Sequence, residues 1–378
     1  MRKVALDLGS RKTAFCEVRD GAVVRRGTVT AVESLRSLLG PEQPPSLVAI
    51  EACREAWHVH DVLTRWGNEV VMVDTTRSKR LGIGQHGRKT DRIDAEVLAR
   101  ALERGGIPAA HVLSPHRREL RRCLNVRRAL VESRAQMVTT ARGIAREHGN
   151  SLPRCASTHF AINARKQPMD AELRGVLEPL LKLLDTIDSE LVGVDAQLAD
   201  LSAKEPVITL LATTPGVGPI VAASFVSVID DATRFRSAHH VESYVGLVPS
   251  EDSSGGRRRL GAISKKGNKY LRALLVQAAW SVMRSADRAD PLRLWADAVA
   301  ARRTKNVAVI ALARRLVGVL WAIWRDGTVY DAALLAGNSS RGARRTAQSV
   351  ELRAEALEKA GKKLSPKKAP AREVSLPT

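Results

Sequence analysis

The chain has 378 residues, 44% of them hydrophobic, and its 61 lysines and arginines outweigh 40 aspartates and glutamates to give a net charge of +21. That length and apolar share exclude a disordered or fibrous chain and fit two or three domains. So strong a positive field implies a polyanionic partner, with nucleic acid as first candidate and a membrane surface as competitor.

In chain order, VALDLG, TAFCEVR and AVVRRGTVT predict three short strands that meander through Gly and Ser turns. VESLRSLLG predicts a helix, LVAIEA a fourth strand, AWHVHDVLTRWG a helix and EVVMVD a fifth strand, which together make a mixed α/β layer. A loop rich in Gly, Arg and Lys over residues 75–89 leads into the helix DRIDAEVLARALERGG, closed by its double glycine. A first domain over residues 1–110 follows.

Residues 111–205 carry two long helical patterns around a polar, proline-containing break near residues 150–168. In the second, Leu173, Leu177, Leu180, Leu184, Ile187, Leu191, Val194, Leu198 and Leu201 recur at helical spacing, as in a helical hairpin or coiled coil that serves as a spacer or dimerisation arm. Residues 206–337 are helical and rich in Ala and Val. There LLATTPGVGPIVAASFVSVI reads as helix, turn, helix, with Gly216 and Gly218 in a turn of the helix-hairpin-helix kind that offers backbone N–H groups to a phosphate. The apolar run over residues 307–324 is interrupted by Arg314 and Arg315, so it is expected to be a buried helix, with no membrane partner. Residues 338–378 are polar and basic and predict a disordered tail. The amino terminus lacks the apolar core of a signal peptide, so the chain is expected to stay in the cytoplasm. Cys16, Cys53, Cys123 and Cys155 show neither C-x-x-C pairing nor zinc spacing.

The chemistry is concentrated in four carboxylates. Asp7 and Glu51 sit in apolar strand patterns, where an unpaired acid is costly, and Asp91 and Asp94 share one face at a helix start. Taken singly, the helix pair could be caps that complement the dipole, and Glu51 a solvent-facing strand end. In this order and these elements, the four suggest a divalent-metal centre of the ribonuclease H or RuvC type, suited to phosphodiester chemistry. Further along, SEDSSGGRRRLGAISKKGNK presents Ser253 and Ser254 on a glycine turn, followed by Arg257, Arg258, Arg259, Lys265, Lys266 and Lys269. A hydroxyl among fixed cations suits attack on a phosphodiester. The plainer reading is a flexible turn beside a backbone-gripping basic run.

These segments together, ALDLGS, AIEA, KTDRIDA, TTPGVGP and YVGLVPSEDSSGG followed by ISKKGNKYLR, resemble the transposases of the insertion sequence 110 family, the bridge-RNA-guided recombinases, over about residues 1–337. The resemblance implies an α/β plus α architecture: a RuvC-like DEDD domain of ribonuclease H fold, a helical coiled-coil middle and a mainly helical transposase domain. It implies magnesium held by Asp7, Glu51, Asp91 and Asp94, and a catalytic serine at Ser254, with Ser253 the neighbouring alternative. It implies donor and target DNA and a structured guide (bridge) RNA as partners. A homodimer or homotetramer is also implied, in which one subunit's serine meets another's acids. Two rivals stand beside this: a RuvC-like junction nuclease in which metal-activated water attacks, and a non-catalytic nucleic-acid-binding protein.

Overall fold

The computed structural model describes residues 1–9, 11–78, 91–251 and 259–336. Ser253, Ser254, Arg257, Arg258, most of the Gly- and Arg-rich loop and the basic tail lie outside them. The chain divides into two compact units, Met1–Leu113 and a second that begins at Ser114.

The first unit is built on five strands: β1 (Arg2–Leu8), β2 (Thr13–Arg19), β3 (Ala22–Val29), β4 (Ser46–Glu51) and β5 (Glu69–Val73), in the order β3-β2-β1-β4-β5. β1, β2 and β3 pair antiparallel, as short turns require, whereas β4 and β5 run parallel to β1 and its neighbour. Those crossovers carry α1 (Arg36–Leu39) and α2 (Ala56–Arg65), and after β5 come α3 (Thr75–Ser78) and α4 (Asp91–Glu103). Period-2 alternation divides the sheet into two faces. On one, Val4, Leu6, Phe15, Val48 and Ile50 pack with Leu35, Leu39, Val59 and Leu63. On the other, Ala5, Ala14, Cys16, Ala49 and Val73 lie under Ala95, Leu98, Ala99 and Leu102 of α4. The small residues of that second face let the helix lie close to the strands.

Two polar devices fix the frame. The Asn68 amide accepts from the Ser46 N–H at 3.1 Å and donates to the carbonyls of Leu39 (2.7 Å) and Leu63 (3.2 Å), tying β4 to the ends of both helices beneath it. Arg2 grips the buried Glu17 through two parallel bonds of 3.0 and 2.9 Å, and its guanidinium holds that carboxyl below its ordinary range.

In the second unit, α5 (Pro115–Glu147) and α7 (Ala171–Ala203) are 33 residues each and flank the short α6 (Phe160–Arg165). They are antiparallel: Arg127 pairs with Asp195 and Arg134 with Asp188, so partner numbers fall as the first rises. The break between them falls where its prolines and polar residues predict. The leucine stripe departs by one place, since Leu181 is buried while Leu180 is only partly so. The tip of this hairpin has its own core, centred on Phe160, Leu173 and Leu177, and its base (Leu120, Leu124, Leu198, Leu201) joins the carboxyl-terminal core.

That core is formed by α8 (Pro206–Leu211), α9 (Pro219–Ile229), α10 (Ala238–Val245), α11 (Lys269–Ser285), α12 (Pro291–Arg302), α13 (Lys305–Asp326) and α14 (Ala332–Ala336). α13 is long and apolar enough to cross a membrane, but it lines the core with Leu312, Leu316, Val317 and Leu320. α9 is buried all round, from Val221 to Ile229, as its uniformly apolar sequence requires. A small hairpin interrupts this mainly helical unit: β6 (Pro249–Glu251) pairs antiparallel with β7 (Leu260–Ile263). Strands of three and four residues are too short to show alternation, so they left no signal in the sequence.

Candidate functional site

The parallel register of β1 on β4 ends with Leu6 opposite Ile50, and Asp7 and Glu51 follow directly, each at the carboxyl end of its strand. Both lie two residues beyond the Ala5–Ala49 pair, so both share the α4 face. Strand spacing sets their backbones about 5 Å apart.

α4 runs against β1. At its far end Lys3 Nζ donates to the Glu103 carbonyl at 3.2 Å, and at its start a Cβ built on Gly9 would lie 3.7 Å from Asp91 Oδ2. The helix start and the strand ends thus meet. Asp94 lies in the buried stripe with Ala95 and Leu98 and is 5% exposed, whereas Asp91 is exposed. The carboxyl half of α4 is fastened to the β2–β3 turn. Arg100 Nη1 donates to the Gly21 carbonyl at 2.6 Å, Glu103 Oε2 accepts the Gly21 N–H at 3.1 Å, and Arg100 is itself held by Glu96.

All four predicted acids therefore share one face at one end of the sheet. Among the described residues no hydrogen bond or ion pair reaches the carboxylates of Glu51, Asp91 or Asp94, and no three ligating side chains already converge to hold an ion. Asp94, buried with no partner among the described residues, carries a desolvation cost. Such a set can hold a cation. Hard oxygen donors of this kind fit a divalent ion of the magnesium or manganese class.

In the second unit Gly216 has a φ of +75°, and a Cβ there would come within 2.5 Å of the Ala278 carbonyl on α11. Gly216 therefore serves the approach of two helices, while Gly218, at the N-cap of α9, faces open space. Arg259, Lys265, Lys266 and Lys269 are exposed, Lys265 in a left-handed conformation (φ +54°) and Lys269 as the first residue of α11.

What the sequence reading missed is how the β6–β7 hairpin is anchored. Gly246 (φ +81°) closes α10, and any Cβ on it would strike the Lys266 carbonyl; a Cβ on Gly267 (φ +84°) would strike that of Tyr244. Arg272 Nη1 donates to the carbonyls of Val245 (3.1 Å) and Lys266 (2.8 Å), joining the two strands' roots, and burial lowers its pKa. The glycines in YVGLVP and KKGNKY were the available signal. Gly246→Ala combines a strained φ with a backbone clash and is expected to cost the second unit about 3 kcal/mol. Denaturant unfolding checks this, and an unchanged midpoint would refute the anchoring.

Comparison with known proteins gives a consistent likeness. Residues 208–292 match the family described as Transposase IS116/IS110/IS902 family, and residues 4–148 match a family described as transposase, DEDD_Tnp_IS110. A "probable family 20 transposase" of Pseudomonas aeruginosa is 30% identical over 76% of this chain and 86% of its own length. The transposase for insertion sequence element IS1328 of Yersinia enterocolitica is 27% identical over 86% of this chain and 98% of its own. That for IS1111A of Coxiella burnetii is 27% identical over 73% and 77%.

Proposed function

Since the chain belongs to the IS116/IS110/IS902 transposase family and is an insertion-sequence transposase, an enzyme that cuts and rejoins DNA, we propose that it works by serine attack beside a metal-holding acid cluster. The observation that carries this is the meeting of Asp7 and Glu51, at adjacent strand ends, with the α4 start that bears Asp91 and Asp94. The strand order β3-β2-β1-β4-β5, with only β2 antiparallel to the rest, supports a RuvC-like reading of the first unit.

Asp7, Glu51, Asp91 and Asp94 would hold magnesium, which when bound polarises phosphoryl oxygens and favours the ionised form of an attacking hydroxyl. Ser254 is the nucleophile in this reading. Its Oγ displaces a deoxyribose oxygen from phosphorus and leaves a serine–DNA phosphodiester, which keeps the bond energy for rejoining. Arg257, Arg258, Arg259, Lys265, Lys266 and Lys269, with the turn of Gly216 and Gly218, would grip the DNA backbone and oppose its charge.

The serine is supplied by one protomer and the acids by another, so the working unit is a dimer or tetramer, held by the α5–α7 coiled coil. A structured guide RNA chooses donor and target by base pairing, which suits a chain of +21 charge with 3% aromatic residues. It works in the cytoplasm, where its DNA lies.

The test is covalent trapping. Protein, end-labelled donor and target DNA, copurified RNA and magnesium are expected to give a labelled protein–DNA species that survives denaturing electrophoresis. Cleavage without that species would favour the water-activating nuclease instead.

A further inference from the structure

The carboxyl end of α10 presents an aromatic ring beside cations that make no ion pair among the described residues. Tyr244 is 42% exposed, and its ring meets Phe235 edge-on at 5.3 Å. Arg234 is anchored through a 2.6 Å bond from Nη1 to the Ile229 carbonyl, and its guanidinium carbon lies 5.5 Å from the Tyr244 ring centre and 5.2 Å from that of Phe235. The Tyr244 carbonyl abuts Gly267, so the Lys265–Lys266 corner lies against the same helix end, and Arg272 joins Val245 to Lys266 below it.

Among the described residues Arg234, Lys265, Lys266, Lys269 and Arg272 make no ion pair. The contrast lies along α10 itself, where Glu242 is matched by Arg314 and His239. On one face charge is balanced, and at the Tyr244 end it is not. A half-open ring with positive charge on its flanks is the pairing that takes a base on its π-face and the neighbouring phosphates on its cations. Bases inside a duplex are stacked on each other and cannot offer a face, so the chemistry selects an unpaired nucleotide.

We propose that Tyr244, flanked by Arg234 and Lys266, is a stacking subsite for an unpaired nucleotide of a single strand, at the root of the β6–β7 hairpin. This rests on the transposase reading and deepens it by naming the form of the nucleic acid that the second unit holds. The strand beside the hairpin is held open there, with one base on the tyrosine and its phosphates on the lysine corner.

The full chain is titrated by fluorescence anisotropy with labelled oligothymidylate and oligouridylate of about twelve nucleotides, and with a duplex of the same length. Tyr244→Ala is expected to weaken single-strand binding about tenfold and to leave duplex binding within twofold, while Tyr244→Phe keeps wild-type affinity because the ring is retained. Lys266→Gln is expected to lower the slope of log affinity against log salt by about one. If only the DNA oligomer responds, the unpaired strand is DNA, and if only the RNA oligomer responds, it is RNA; either supports the subsite. Unchanged single-strand affinity in Tyr244→Ala, or equal loss with strand and duplex, overturns it. Tyr244 is half-exposed and outside the core, and unchanged thermal melting of the variants separates lost stacking from lost fold. The assay reads binding alone, so a failure of the serine route leaves it standing, and its own failure leaves the serine route untouched.

Discussion

Ser254→Ala is expected to abolish both DNA cleavage and the covalent protein–DNA species, with a loss of at least about a thousandfold, while DNA and RNA binding stay at wild-type strength. A nucleophile contributes only when its bond forms, so its removal falls on the chemical step and leaves grip intact. Ser253→Ala, one residue away, is the matched control and should keep the adduct. Quantifying adduct and nicked product on denaturing gels for both variants decides the matter: an undiminished adduct in Ser254→Ala removes that residue from the mechanism, and its disappearance in Ser253→Ala moves the role by one place.

Asp94→Asn is expected to lower magnesium-dependent cleavage roughly a hundredfold to a thousandfold without lowering the stability of the fold. The two effects separate because of where Asp94 sits. It is 5% exposed, and among the described residues nothing pairs with its carboxylate. Near a helix start the dipole favours its charge by about 0.3–1 kcal/mol, while burial without a partner disfavours it by more. Neutralising it at constant shape should therefore leave unfolding free energy unchanged or raise it by up to about 1 kcal/mol. If Asp94 were only a cap or a packing residue, activity would survive or stability would fall. Parallel cleavage assays and denaturant melts read both, and full activity would exclude Asp94 from the site.

The first unit was legible because its sequence is locally consistent. Valines, alternation and Gly turns all mark the same five strands, and an acid inside VALDL stands out because its neighbours are buried. The sharing of one face by Asp7 and Glu51 needed the register Leu6–Ile50, which follows from strand neighbours and not from spacing. The sequence showed Asp91 and Asp94 as equals at a helix start; only the packing of α4 on Ala5 and Ala49 makes Asp94 the buried one. In the second unit the two long helices and their break were legible from leucines and prolines. The β6–β7 hairpin was not, because its shape depends on Gly246 meeting Lys266 and Gly267 meeting Tyr244, contacts between residues some twenty apart. The turn at Gly216 was legible as a turn, but the close approach of α11 that its positive φ permits was not.

The way α4 is fastened makes it mechanically a lever. Its attachment to Gly21 lies at one end, through Arg100 and Glu103, and its acids lie at the other. Thirteen residues span about 20 Å, so a tilt of only about three degrees at the turn swings Asp91 by roughly 1 Å, enough to detune a reaction that depends on placement. The exposed corner between β2 and β3, remote from any chemistry, is thereby the fulcrum on which the alignment of the acids turns.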